Sequence, residues 1–340
     1  MQFKSIQLLR AIAALYVALY HLTDWWKLKS DVFTNLFRNG YSGVDLFFVI
    51  SGFVVFQSAQ KFPQGWRGFL LFMGKRLTRI YPIYWLLLVI FVGAGILEVP
   101  STAWWEVCKS FLLLPRHKTI IGTTWTLQYE IYFYGLIALY VFNKKLRFAL
   151  AGLFALSLFA LVVSWLNIQD IHLPSRAFFD QFVFEFFLGV IVCQLYSKIP
   201  FWLALMMTAT GLVLFFYPWH GIPDAWQGLP ARAAGFGLSS AILLAGLTNM
   251  EYREKISVPR LIVLSGDASY CLYLMHGPLA WWLLPYPDPS SHLAASRGLL
   301  FLFAVSLTAL AMPVHLYIEK PILNYLNARL WGKRIAANKP

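Results

Sequence analysis

An arginine and a histidine lie eleven residues apart near the N-terminus, within the otherwise apolar stretch LLRAIAALYVALYHL. In an α-helix, eleven steps return to within about 20° of the starting direction, so Arg10 and His21 share one face and lie about 16 Å apart. Such a stripe is unfavourable in lipid and should face protein or water-filled space. The alternative is a helix end with a snorkelling arginine and an interfacial histidine. The spacing thus indicates either a functional stripe or a simple membrane anchor.

Four further ionisable side chains interrupt apolar runs of the sequence. They are Asp45, Glu130, Glu185 and His276. A carboxylate within a membrane span costs a few kcal/mol unless it is paired or protonated. Either glutamate is therefore a functional candidate, although it could instead pair with Arg10 or Arg232. The aspartate could simply stabilise a helix N-terminus, and the second histidine could bind a backbone carbonyl.

The composition places these groups in a membrane protein. Of the 340 residues, 59% are apolar and only 13% are charged, and the mean hydropathy is +0.62. Apolar runs of about 20 residues, the length that crosses a bilayer, recur along the chain. Cys108, Cys193 and Cys271 are scattered, which indicates neither a metal site nor a disulfide framework. We therefore predict an all-α polytopic membrane protein without a metal.

We predict ten transmembrane helices with both termini in the cytoplasm. The predicted spans are 6–22, 43–59, 80–97, 125–142, 148–166, 178–196, 201–217, 231–248, 266–284 and 297–317. Most of the 28 lysines and arginines fall on one side of these spans, and the positive-inside rule assigns that side to the cytoplasm. The net charge of +13 then needs no nucleic-acid partner. Residues 102–114 are too few to cross the bilayer, and we expect an outer-surface or re-entrant helix there.

The predicted topology separates two layers of polar groups. We expect one integral-membrane domain at 1–320 and a short basic cytoplasmic tail at 321–340. The outer third holds His21, Asp45, Glu130 and Glu185, and His276 lies closer to the midplane. The basic inner mouth holds Arg10 together with Lys75, Arg76 and Arg79, which end a large inner loop. A ligand with phosphates at this mouth and a reactive end about 15 Å deeper would match the spacing.

The chain resembles acyltransferase family 3, the membrane O-acyltransferases that modify bacterial surface polysaccharides. The resemblance rests on an ordered series: Arg10 and His21, GVDLFFVISGF at 43–53, KRLTRIYP at 75–82, WTLQYEIYFY at 125–134, SYCLYLMHGPL at 269–279 and IEKP at 318–321. Each motif is modest alone, but the set in this order is specific and covers nearly the whole chain. Larger relatives append an extracytoplasmic SGNH-type domain, and we expect the stand-alone form here.

The resemblance implies transfer of an acyl group, usually acetyl, from cytoplasmic acyl-CoA to a sugar hydroxyl at the bacterial inner membrane. The expected ligands of the CoA phosphates are Arg10, Lys75, Arg76 and Arg79. His21 is the expected general base or transient acyl carrier, oriented by Glu130, with Asp45 as the competing orienter. The expected substrate-binding residues are Trp125, Tyr129, Glu185 and His276.

The acceptor is less defined than the donor. We expect an exopolysaccharide or O-antigen sugar, presented as a glycan or lipid-linked glycan, and a small-molecule acceptor such as a macrolide stays open. A small transporter or flippase of a glycolipid or anion is the alternative class, although no internal repeat is evident. A membrane scaffold without catalytic activity is disfavoured, because burying several ionisable groups costs free energy that a scaffold has no need to spend. The sequence leaves four points open: the identity of the acyl group, the acceptor hydroxyl, the choice between direct and acyl-histidine transfer, and the oligomeric state.

Overall fold

The fold is a bundle of α-helices, obtained as a computed structural model that describes residues 3–25, 32–98, 104–114, 119–166, 181–217, 232–284 and 297–332. No β-strand occurs among these residues. The helices within the described ranges are α1 (Lys4–Trp25), α2 (Val32–Phe37), α3 (Gly43–Ala59), α4 (Trp66–Gly93), α5 (Trp104–Phe111), α6 (Trp125–Phe142), α7 (Arg147–Trp165), α8 (Gln181–Leu195), α9 (Phe201–Phe216), α10 (Leu238–Tyr252), α11 (Arg260–Asp267), α12 (Ser269–Leu283), α13 (Arg297–Val314) and α14 (Lys320–Leu326). Wider π-helical turns lie at Ala233–Gly237, His315–Glu319 and Asn327–Gly332.

Several helices have the length and composition of membrane spans. In the described part of the chain, six helical segments are long and apolar enough to cross a bilayer: Lys4–Asp24, Thr34–Ala59, Trp66–Gly93, Lys144–Val163, Ala233–Tyr252 and Arg297–Trp331. Apolar side chains such as Val89 and Leu302 lie exposed on the outside of the bundle, as expected for a surface that meets lipid. The helical membrane class is confirmed.

Helix α4 differs from the predicted span at 80–97, since it begins at Trp66 and ends at Gly93. Lys75, Arg76 and Arg79 therefore lie within a helix, and their predicted place at the end of an inner loop was wrong. Aromatic packing explains why a cation is tolerated here. The Arg76 guanidinium lies 5.4 Å from the Phe72 ring centroid and 5.7 Å from that of Tyr134.

The predicted span 266–284 is divided between two helices that meet at Ala268. Helix α11 packs tightly on α1, because a Cβ added to Gly266 would lie 2.0 Å from the carbonyl oxygen of Gln7. This contact starts α12 inside the bundle, beside α1. The packing thereby brings the polar residues of α12 to the face that carries Arg10 and His21.

The helical structure after α13 continues well past the predicted end at 317. It runs through α14 to Gly332, and Trp331 packs against α4, where its Nε1 donates to Thr78 Oγ1 at 3.3 Å. A Cβ on Gly74 would lie 2.1 Å from the Trp331 ring. The first part of the predicted tail is therefore packed on the bundle, and residues 333–340 lie outside the described ranges.

The short helix predicted within 102–114 is α5, eight residues long. Three side chains of one α4 face bind the carbonyls of residues 110–112 at its C-terminal end. Their donors are Tyr84 (2.7 Å), Trp85 (2.9 Å) and Tyr81 (2.7 Å). These donors lie about 12–18 Å before the end of α4. These bonds hold the C-terminal end of α5 against the middle of α4, a position that favours the re-entrant alternative over one at the end of the bundle.

Helix α3 packs against α1, α6, α8 and α10. Its crossing with α8 is very close, since a Cβ on Gly52 would lie 1.9 Å from the Phe186 carbonyl oxygen, and one on Gly189 would lie 1.9 Å from that of Val49. Small residues permit such close helix contacts in membranes. The crossing fixes α3 between the helices that carry the polar groups.

Candidate functional site

Two histidines from distant parts of the chain form a pair. His21 Nδ1 lies 3.0 Å from His276 Nε2, and the ring centroids are 5.1 Å apart with an interplanar angle of 22°. The expectation that His276 lies nearer the midplane than His21 stays a prediction, but the two imidazoles are in direct contact and form one unit.

The direction of the hydrogen bond follows from a backbone carbonyl. His276 Nδ1 lies 3.2 Å from the carbonyl oxygen of Leu272, which can only accept. His276 Nδ1 therefore carries the proton, and in the neutral imidazole Nε2 is the acceptor. His21 then donates through Nδ1, so that its lone pair lies on Nε2. This tautomer makes Nε2 the basic atom of the His21 ring.

Glu130 lies on α6 and contacts other groups than His21. Its Oε1 accepts hydrogen bonds from Ser51 Oγ at 2.9 Å and from Tyr134 OH at 2.8 Å. The structure thus brings His276 to His21, in the place where the sequence put Glu130. The carboxylate instead lies beside the arginines described below.

Asp45 is fully buried in an ion pair with Arg232. Its carboxylate accepts from Arg232 Nε at 2.8 Å and from Nη2 at 2.8 Å. The guanidinium also lies 4.9 Å from the ring centroid of Tyr41 and 5.2 Å from that of Phe182. Asp45 therefore contacts Arg232 and not His21.

The remaining substrate candidates cluster around the same arginine. Glu185 is buried on α8, within electrostatic range of Arg232. Trp125 and Tyr129 pack on Phe182, with ring centroids 5.4 Å and 5.2 Å away. Through Phe182, these aromatic rings pack next to the Arg232 guanidinium.

A cavity of about 130 Å³ lies between α1, α3, α4, α6 and α12. Its polar lining comprises Arg10, Ser51, Arg76, Arg79, Thr126, Glu130, Tyr134, Ser269, Tyr270 and Tyr273. Tyr273 extends this lining toward the histidines, since its ring centroid lies 6.0 Å from that of His276. Its hydroxyl contacts Thr126 and the carbonyl of Thr123. The cavity is therefore lined by three of the predicted CoA ligands and by Tyr273, which packs against the histidine pair.

The cations at this cavity outnumber its carboxylate. Arg10 donates to Gln7 Oε1 at 3.3 Å, Arg76 is held between aromatic rings, and Arg79 is exposed. Lys75 lies outside the lining, with its ammonium 5.6 Å from the ring centroid of Phe62. Three guanidinium groups around one cavity suit the oxygens of a phosphate.

The sequence analysis gave no role to several polar groups of the cavity, among them Tyr134 and Tyr273. Helical spacing is the signal for two of them, since Tyr134 follows Glu130 by four residues and Tyr273 precedes His276 by three. The link from Asp45 to Arg232 carries no such local signal. Among the described residues, no group of three His, Cys, Asp or Glu side chains is arranged to hold a metal ion.

The comparisons with known proteins agree with this geometry. The family model Acyl_transf_3, described as an acyltransferase domain, matches residues 3–318. The exopolysaccharide production protein ExoZ of Rhizobium meliloti (strain 1021) is 27% identical over 312 residues, which cover 86% of this chain and 92% of that protein. No solved structure matches the chain significantly. With a family match over nearly its whole length, the chain belongs to acyltransferase family 3 and is an acyltransferase.

Proposed function

We propose that this enzyme transfers an acetyl group from acetyl-CoA to a hydroxyl of a bacterial surface glycan. The family membership supplies the acyl transfer. The name of the relative, exopolysaccharide production protein, supports an exopolysaccharide as the acceptor. The observation that carries the proposal is the cavity lined by the arginine cluster, one of whose lining residues, Tyr273, packs against His276 of the histidine pair.

In this proposal the arginines bind the phosphate end of the donor. Arg10, Arg76 and Arg79 would contact the phosphates, because guanidinium groups bind phosphate oxygens in pairs. Lys75 would add charge from outside the cavity. Thr126 and Tyr273 would line the path along which the pantetheine arm brings the thioester to His21.

The proposed chemistry uses His21 Nε2 as the base. It takes the proton of the acceptor hydroxyl while the oxygen attacks the thioester carbonyl carbon. The carbon–sulfur bond breaks, an ester forms, and the thiolate of CoA receives the proton from the imidazolium. His276 holds the ring in the required tautomer, as the third member of a triad does. Glu130 then serves the donor site, where it fixes Ser51 and Tyr134 beside the arginines.

The proposed location is the bacterial inner membrane, with ten spans and both termini in the cytoplasm. The basic residues at the predicted inner loops support this orientation. It places the arginines toward the cytoplasm, where acyl-CoA is found, and His21 toward the opposite face. The acceptor is then a glycan or lipid-linked glycan at the outer side, within reach of membrane lipid.

Purified enzyme in proteoliposomes tests the proposed reaction. We would supply radiolabelled acetyl-CoA and chemically deacetylated exopolysaccharide, and measure free CoA and label in the glycan. We expect both to rise together, and the label to be released by mild base as expected for an ester. Absence of both donor binding and transfer would contradict the proposal. Movement of a glycolipid across the bilayer without ester formation would instead support the transporter.

A further inference from the structure

A second surface adjoins His21 outside the lining of the arginine cavity. The ring centroids of Tyr20 and His21 are 5.3 Å apart, and those of Tyr20 and Tyr41 are 5.5 Å apart. The Arg232 guanidinium lies over Tyr41 at 4.9 Å. None of these four residues lines the arginine cavity, and all four are partly exposed. They form a continuous row from the proposed base to a buried ion pair.

This row is held in place by close backbone packing. A Cβ on Gly40 would lie 2.3 Å from the carbonyl oxygen of Tyr16 and 2.6 Å from Cβ of Tyr20. Only glycine therefore lets the turn Gly40–Ser42 approach α1 and bring Tyr41 against Tyr20. On its other side, Tyr41 packs edge-on against Phe236 at 5.6 Å. Close packing at Gly40 and Phe236 thus fixes the position of the Tyr41 ring.

One nitrogen of the Arg232 guanidinium, Nη1, can serve as a hydrogen-bond donor in this row. Nε and Nη2 bind Asp45, and Nη2 also donates to the carbonyl of Tyr41 at 3.3 Å. Within the described part of the chain, Nη1 makes no hydrogen bond. The ion pair fixes the plane of the guanidinium, which presents Nη1 as an oriented donor at little cost in side-chain entropy.

The charges around the row do not favour an anion. Tyr20 and Tyr41 are within electrostatic range of the carboxylates of Asp24 and Asp45 and of the cations Arg38 and Arg232. Glu185 adds a further carboxylate beside Arg232. The carboxylates thus at least balance the cations, in contrast to the arginine cavity. An uncharged ligand with hydroxyl groups suits this surface better than a phosphate.

We propose that Tyr20, Tyr41 and Arg232 form the acceptor subsite and bind an uncharged sugar ring. The tyrosine rings contact the carbon–hydrogen face of the sugar, and Nη1 of Arg232 donates to one of its oxygens. Because Tyr20 is next to His21, a hydroxyl of the same sugar lies within reach of the imidazole. This inference rests on the proposed function, since it supplies the acceptor for the proposed base.

Steady-state kinetics in nanodiscs test the subsite through the variants Tyr20→Leu and Tyr41→Leu. Tyr317→Leu is the matched control, because Tyr317 is highly exposed. Loss of an aromatic contact of about 1.5 kcal/mol raises the glycan KM about tenfold. The KM for acetyl-CoA should change by less than about twofold, far less than the tenfold rise expected for the glycan KM. An unchanged glycan KM in both variants, or an equal rise in the KM for both substrates, would overturn the subsite.

Glycan binding without a donor separates this inference from the proposed reaction. We would measure binding of a neutral glucose oligosaccharide, and of one of equal length that carries uronic acids, by saturation-transfer NMR. Wild type should bind the neutral oligosaccharide at least as tightly as the one with uronic acids. Tyr41→Leu should bind the neutral oligosaccharide more weakly than wild type does. If wild type transfers acetyl but Tyr41→Leu binds normally, only the subsite fails. If wild type transfers nothing yet binds sugar through Tyr41, only the proposed reaction fails. Binding restricted to the uronic-acid oligosaccharide would overturn an uncharged ligand.

Discussion

At the residue scale, the proposed chemistry depends on the direction of one hydrogen bond. The carbonyl of Leu272 fixes the proton of His276, which in turn fixes the tautomer of His21. A single imidazole at this depth would have two neutral forms, of which only one places the lone pair on Nε2. The pair thus supplies the orientation that the sequence assigned to Glu130 or Asp45, both of which bind other side chains.

Replacing His276 with leucine removes the acceptor for His21 Nδ1. The loss of this buried hydrogen bond, about 1–3 kcal/mol, should lower kcat roughly 5- to 150-fold and leave the Kd for acetyl-CoA unchanged. His276→Gln offers a side-chain oxygen and should restore part of the rate. Single-turnover transfer rates and donor binding measure both effects. A full rate in His276→Leu would contradict the positioning role.

The ion pair between Asp45 and Arg232 should stabilise the folded protein as well as orient Arg232. Asp45→Ala leaves a buried cation without its partner, which costs about 3–5 kcal/mol, so thermal unfolding in detergent should begin at a lower temperature. The double variant Asp45→Ala with Arg232→Ala should lose less than the sum of the single variants. Additive losses would show that the two side chains do not act as a pair.

At the element scale, helix crossings set where the polar side chains meet. The α3–α8 crossing depends on Gly52 and Gly189, whose added methyl groups would overlap backbone atoms. The contact between α11 and α1 likewise depends on Gly266. Neither contact involves the reacting groups directly, but both fix the helices on which Ser51 and His276 lie.

Gly52→Ala and Gly189→Ala should therefore destabilise the bundle. Overpacking of this kind costs about 1–3 kcal/mol, which a lower midpoint of thermal unfolding would report. Gly135→Ala and Gly152→Ala are matched controls, because no atom lies within 4 Å of a Cβ added there. These controls should be neutral or slightly stabilising in a helix. Equal effects at all four positions would refute the crowding argument.

Helical periodicity predicted the elements better than it predicted their contacts. The shared face of Arg10 and His21 and the failure of 102–114 to span follow from residue spacing alone. The start of α4 at Trp66 did not, since a cation between aromatic rings resembles a loop residue in sequence. The contact of His21 with His276 joins residues 255 positions apart, and it depends on the break at Ala268, which carries no strong sequence signal.

At the scale of the whole molecule, the proposed reaction requires two accessible faces. The donor enters beside Arg79, which is exposed at the arginine cavity, and the acceptor approaches the row at Tyr20 and Tyr41. Arg10 and His21 are separated by about 16 Å along α1. In the proposed reaction, donor and acceptor therefore reach the enzyme from opposite sides of the membrane.

The proposed topology predicts which loops are reachable from outside the cell. In a cysteine-free variant, a cysteine at Arg38, between α2 and α3, should react with a membrane-impermeant maleimide in spheroplasts. A cysteine at Gln64, between α3 and α4, should react only after lysis. Both positions lie in loops that join described helices. The reverse labelling pattern would contradict termini in the cytoplasm.

The most direct test of the account separates donor binding from chemistry in two variants. We would measure acetyl-CoA binding and acetyl transfer for Arg79→Ala and His21→Ala, with Arg147→Ala, at an exposed arginine outside the cavity, as the control. Loss of one phosphate contact should weaken acetyl-CoA binding about tenfold or more, and acetyl-pantetheine, which lacks the phosphates, should bind Arg79→Ala as it binds wild type. His21→Ala should keep donor binding and lose about 10²- to 10⁴-fold in transfer rate. Normal transfer by His21→Ala, or an equal loss of both donors in Arg79→Ala, would contradict the proposal of a phosphate site at the arginines and a catalytic His21.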